Sequence, residues 1–124
     1  MTIEAALKAK LATTLGCSVY PLSLPPSATL PACTYTRITT AREYTHDGDA
    51  NLERIRFQVD LWASSYLAVR ALAATFRTAW SGFSGTVGTG VTCSGAFVVG
   101  EHDLYDPEPK AYRVSIDLSM WIHT

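Results

Sequence analysis

The run Leu52-Glu53-Arg54-Ile55-Arg56-Phe57-Gln58-Val59-Asp60-Leu61-Trp62 alternates apolar and polar side chains almost without a break. Ile55, Phe57, Val59 and Leu61 point one way, and Arg54, Arg56, Gln58, Asp60 and Trp62 the other. A period of two marks a strand with one buried face, because successive side chains leave opposite sides of the pleat. The final segment, Ala111–Ile122, repeats the pattern. Tyr112, Val114, Ile116, Leu118, Met120 and Ile122 share one face, opposite Arg113, Ser115, Asp117, Ser119 and Trp121. Strands that bury one face belong to an antiparallel sheet covered on that side by another layer.

Helices at two places can supply the layer. Ile3, Leu7, Leu11 and Leu15 recur every fourth residue, predicting a helix over Ile3–Leu15 with Thr2 as cap and Gly16 just past its end. Val69, Leu72, Ala73, Phe76 and Trp80 form a second apolar stripe over Tyr66–Trp80, capped by Ser64 or Ser65 and followed by Gly82. Thr, Tyr and Ile make Ala32–Arg42 a strand, and Asp47-Gly48 turns it into Leu52–Trp62 as a hairpin with an extended tip. A further strand is expected at Val91–Gly100. Between Pro21 and Pro31 four prolines forbid a helix and point to an extended connection. Ser84–Gly90 reads as a Gly/Thr loop, and His102–Pro109 as a charged loop with two prolines. The expected fold is therefore α+β in the order α-β-β-α-β-β, a mostly antiparallel four-stranded sheet with two helices packed on one face. With 124 residues, it is read as a single domain, 1–124.

Composition narrows the function classes. An apolar fraction of 48% with a formal charge of −1 excludes intrinsic disorder and argues against electrostatic binding to nucleic acid or an anionic membrane. No run approaches the roughly 18 apolar residues of a membrane span, and the charged start lacks the apolar core of a signal peptide. Cys17, Cys33 and Cys93 are odd in number and match no zinc spacing, so they read as small buried hydrophobes.

Chemistry is sparse. The serines lie in no GxSxG elbow, and Gly85, Gly88 and Gly90 fit neither phosphate-binding glycine pattern. His46-Asp47-Gly48-Asp49 and Glu101-His102-Asp103 set imidazoles beside carboxylates. A small metal-dependent hydrolase using His46, Asp47, His102 and Asp103 would need these two loops to meet at one end of the sheet. The alternative is that they are solvated tips. No catalytic residue, metal or cofactor is expected.

The polar rows hold more promise. Arg54, Arg56 and Asp60 on one strand and Arg113 and Asp117 on another carry both signs, and Trp62 and Trp121 end the rows. Trp and Arg are enriched at interfaces, and mixed-sign rows suit a self-assembling ring; the alternative is a solvated sheet face with each Trp folded over the edge of the core.

Further stretches carry a family resemblance: Ile3-Glu4-Ala5-Ala6-Leu7, Val19-Tyr20-Pro21-Leu22, Leu30-Pro31-Ala32, Tyr44-Thr45-His46-Asp47-Gly48 and Arg56-Phe57-Gln58-Val59-Asp60-Leu61-Trp62-Ala63. The end of the chain adds Asp103-Leu104-Tyr105-Asp106-Pro107-Glu108 and Tyr112-Arg113-Val114-Ser115-Ile116-Asp117-Leu118-Ser119-Met120-Trp121. In their order and spacing these resemble the small tail-terminator, or tail-completion, proteins of long-tailed bacteriophages and tail-like particles. The resemblance implies a structural virion protein at the head-proximal end of the tail, assembled in the host cytoplasm. It implies a hexameric ring that caps the tail tube, stops its polymerisation and receives a head-side connector, while DNA passes through the lumen without specific binding. Another neck or tube ring of the same assembly is the alternative. On this reading Arg54, Arg56, Asp60, Trp62, Arg113, Asp117 and Trp121 make ring contacts. The tip Tyr44–Asn51 (Tyr44, His46, Asp47, Asp49) and the segment His102–Pro109 (His102, Asp103, Tyr105, Asp106) make axial contacts with tube or connector.

Overall fold

The structure, a computed structural model, describes residues 3–22, 29–45, 48–88, 91–106 and 111–123. Its elements are α1 (Ile3–Leu15), β1 (Ser18–Pro21), β2 (Ala32–Thr45), β3 (Gly48–Ala63), α2 (Tyr66–Trp80), β4 (Gly85–Gly88), β5 (Val91–Asp106) and β6 (Ala111–His123). Both helices have the expected bounds. Gly16 closes α1 at φ 66°, its N–H donating to the Ala12 carbonyl at 2.9 Å, a left-handed stop that glycine takes without strain. Ser65 caps α2 by accepting from the Ala68 N–H at 3.2 Å. Thr2, the expected cap of α1, lies outside the described residues.

The sheet corrects the four-stranded expectation. It has six strands in the order β1-β2-β3-β6-β5-β4, is curled, and is mixed, because β1 runs parallel to β2. The α+β class stands, but each α-β-β unit gains a strand. β1 and β4 are four residues long and bury one side chain each, Val19 and Val87. Four residues are too few to show a period, and glycines at both ends of β4 imitate a loop. Pro21 fits at an edge, where no inner ladder requires its missing N–H. The expected loop at His102–Pro109 is also corrected: His102–Asp106 continue β5 and pair with Ala111–Ser115. Pro107 and Pro109 lie outside the described residues.

The two three-stranded units meet where β3 pairs with β6, antiparallel, from Leu52↔His123 to Ala63↔Tyr112. Ile55, Phe57, Val59 and Leu61 and, opposite them, Val114, Ile116, Leu118 and Met120 are fully or almost fully buried in one core with Leu7, Leu11, Phe76 and Trp80. Each large side chain so buried stabilises the fold by about 1.5–3 kcal/mol before entropy is counted.

Cys33 and Cys93 are buried, Cys17 is half-buried, and all three are free thiols. Burial raises the pKa of each, most strongly at Cys33. Since only the thiolate reacts, a thiol reagent at about pH 8 should modify Cys17 slowly and Cys33 and Cys93 scarcely at all. All three should react in denaturant; prompt reaction of the native protein at Cys33 would contradict this packing.

Candidate functional site

The face of β3 and β6 turned away from the helices brings together the residues of both polar rows. Register sets Arg54 opposite Trp121, Gln58 opposite Asp117, Asp60 opposite Ser115 and Trp62 opposite Arg113. Diagonal neighbours across two strands are within reach of long side chains. Arg56 accordingly donates to Asp117 at 2.9 Å, and Arg113 approaches Asp60 at 3.8 Å. The Arg113 guanidinium lies 5.0 Å from the Trp62 ring centre and that of Arg54 5.7 Å from Trp121. Trp62 is covered, with 8% exposure, and its indole N–H points at the Thr34 hydroxyl at 3.5 Å.

Most of this face therefore neutralises itself inside one subunit. Both carboxylates have an arginine, and Trp62 is packed. Partly exposed ion pairs of this kind contribute about 0–1 kcal/mol each, so their main effect is to remove net charge from the surface. Among the described residues of the two rows, Arg54 alone has no carboxylate partner, and Trp121 remains partly accessible.

The axial candidates divide between the two ends of the sheet. β6 stops opposite Leu52, whereas β2 and β3 pair onward to Thr45↔Gly48. Tyr44 and Asp49 thus sit in a two-stranded ribbon that outruns the rest of the sheet by four residues of β3, roughly 13 Å. His46 and Asp47 lie outside the described residues. At the other end, His102, Asp103, Tyr105 and Asp106 belong to β5, level with Asp60–Ala63 and the start of β6. Asp103 is engaged internally: it accepts from the Tyr66 hydroxyl at 2.9 Å and from Arg70 at 3.0 Å. The hydrogen bond to Asp103 raises the Tyr66 pKa. Arg70 and Arg77 also pair with Glu101, tying α2 to β5.

This arrangement does not assemble the four residues of the hydrolase alternative. His102 and Asp103 are consecutive strand residues and leave opposite faces of β5. Thr45 and Gly48, which flank His46 and Asp47, lie twelve β3 residues from Asp60, the level of His102, or roughly 40 Å.

Two features escaped the sequence reading. Tyr66, Tyr105 and Tyr112 cluster at the α2 end, with ring centres 6.1 Å and 4.9 Å apart for the pairs with Tyr112. Phe97, Val99 and Leu104 on β5 are exposed. Phe97-Val98-Val99 breaks the period of two, and Gly95 and Gly100 mark the register shifts that cause it. That combination is the signal that was available.

Residues 1–123 match a family model described as "Tail completion protein gp17". No curated protein matches significantly. A solved structure, "Virion of native gene transfer agent (GTA) particle", contains a chain similar in fold, with a TM-score of 0.70. The alignment covers 98% of this chain and 95% of that one at 14% identity.

Proposed function

The chain belongs to the tail completion protein gp17 family, and from that membership we propose that it forms a closed hexameric ring capping the tail tube at its head-proximal end. The ring stops tube growth and presents its free side to a head-side connector. A tube lengthens while each new ring offers the surface that recruits the next, so a terminating ring needs two unlike axial sides. The observation that carries this reading is the difference between the two ends of the sheet: a projecting β2–β3 ribbon at one, the tyrosine cluster and the β5–β6 hairpin at the other. The family match and the likeness to a virion chain support a structural rather than an enzymatic role.

Of the seven polar-row residues, Arg54 and Trp121 are the ones proposed to reach a neighbouring copy. Arg56, Asp60, Trp62, Arg113 and Asp117 are held within the subunit. The ribbon and the Tyr105–Asp106 end are proposed to meet tube and connector. A face that cancels its own charge, in a chain of net charge −1, also suits a ring through which DNA slides without being held.

Native mass spectrometry, with and without purified tail tubes, tests this reading. The expected result is a six-copy ring that does not polymerise alone and binds one end of a tube. Open-ended polymers of the pure protein would favour a tube subunit instead, and a monomer indifferent to tubes would reject the ring.

A further inference from the structure

We propose that neighbouring copies in this ring join by main-chain strand pairing, the outer edge of β5 in one copy adding to the outer edge of β2 in the next. The proposal rests on the ring reading above, specifies its seam, and moves the contact between copies from Arg54 and Trp121 on the central strands to the sheet edges. Among the described residues, the sheet ends in two short strands that leave most of their long neighbours uncovered. β1 covers β2 only from Ala32 to Tyr35, with Leu22 N–H reaching the Tyr35 carbonyl. β4 covers β5 only from Val91 to Cys93, and Phe83 and Gly82 add backbone bonds at Ala96. Beyond Tyr35 on β2 and beyond Ala96 on β5, no described residue bonds to the outer edge. Open edges of this length recruit another strand unless something guards them.

Alternation identifies the free groups. Ala96 turns its N–H and C=O outward, to Phe83 and Gly82. In an antiparallel ladder every second residue does the same. Following the register past its shift at Gly100, the outward residues of β5 are Val98, Glu101, Asp103 and Tyr105, opposite Leu118, Ile116, Val114 and Tyr112. On β2 the same count from Tyr35, past the shift at Thr39, selects Arg37, Thr40 and Arg42.

Direction and side chains agree with pairing between copies. β2, β3, β6 and β5 are successively antiparallel, so β5 runs opposite to β2, and copies related by rotation about a ring axis would add an antiparallel ladder. The free part of β5 lies level with the Ala63 end of β3, and that of β2 with the Gly48 end. Bringing the centres of the two free stretches together needs a stagger of roughly 20–27 Å, of which the four strands repeated between seams, β2, β3, β6 and β5, spaced about 4.8 Å apart and tilted about 40°, supply roughly 16 Å. Of the eight large apolar side chains exposed among the described residues, four lie on β5 and one on β2. Phe97, Val99, Leu104 and Tyr105 on β5 are 43–59% exposed, and Ile38 on β2 is 47% exposed. Solitary edges ordinarily carry charge there instead. Among the described side chains there, Glu101 and Asp103 are paired within the subunit with Arg70 and Arg77, and Arg37 with Glu4.

Proline at an outward position removes one edge N–H and spares the internal ladder. Tyr105→Pro and Thr40→Pro should therefore stay folded by circular dichroism yet weaken ring assembly about ten-fold per seam. Thr40→Ala, which keeps the N–H, should retain the ring, and Tyr105→Ala should weaken it less than Tyr105→Pro does. Should either proline variant misfold, amide exchange of the unmodified protein decides: Glu101, Asp103, Tyr105, Arg37 and Thr40 should exchange at least ten-fold more slowly in the ring than in the monomer. Rings that survive both prolines, or edge amides that exchange equally fast in ring and monomer, would overturn the seam and leave the ring standing. Failure of the unmodified protein to form any ring, alone or on tubes, would remove the ring reading and the seam with it.

Discussion

Replacing Tyr44–Asn51 by a two-residue Asn-Gly turn should leave a folded subunit that still forms rings but no longer limits tail length. Glu43 and Leu52 are direct partners in the β2–β3 register, so a short turn can close the hairpin there. Within the subunit the described residues of this segment pair only with one another, because β6 ends opposite Leu52. A two-stranded ribbon contributes little stability of its own, and the apolar row from Ile55 onward remains intact. The melting temperature should fall by no more than about 5 °C. The functional loss should be near complete, because the ribbon is the element that projects furthest beyond the sheet at its end. Electron microscopy of assembled tails would show lengths spread well beyond the normal value and few joined heads. A normal length distribution with this variant would take the axial contact away from the ribbon.

The helices were legible because each repeats its apolar residue over three or more turns and ends at glycine; Ile3–Leu15 and Tyr66–Trp80 needed nothing further. β3 and β6 were legible for the same reason at period two. β1 and β4 were not, since one buried valine in four residues has no period. Hidden too was the adjacency of β3 and β6, which are separated in the chain by α2, β4 and β5. That adjacency converts two mixed-sign rows into internal pairs. Alternation places Arg56 and Asp117 on polar faces, but only the register, with Gln58 opposite Asp117, sets them diagonal to one another. The charges read from sequence as available to a neighbour are largely satisfied at home. The tail-completion resemblance was readable across the whole chain and agrees with the family match; the strand edges, being backbone features, leave no mark in composition.

Trp80→Ala should destabilise the subunit by about 3–5 kcal/mol, a large share of the roughly 5–15 kcal/mol typical of a whole domain. Trp80 is fully buried where three parts of the chain meet. Its ring stacks on Phe76 within α2 at 6.2 Å and meets Phe83 edge-on at 5.5 Å. Lys10 of α1 holds its ammonium 5.3 Å from the Trp80 ring and 4.3 Å from that of Phe83. Truncation would leave a cavity between both helices and the segment leading into β4. Trp80→Phe should cost less than half as much. It keeps most of the ring volume and removes an indole N–H that has no acceptor among the described residues. Guanidinium unfolding followed by circular dichroism would measure both, and a loss under about 1 kcal/mol for the alanine variant would contradict the packing. The pair also separates stability from assembly. Trp80 contributes nothing to either open edge, so Trp80→Ala protein that is still folded should form rings as the unmodified chain does, whereas the edge prolines should show the reverse.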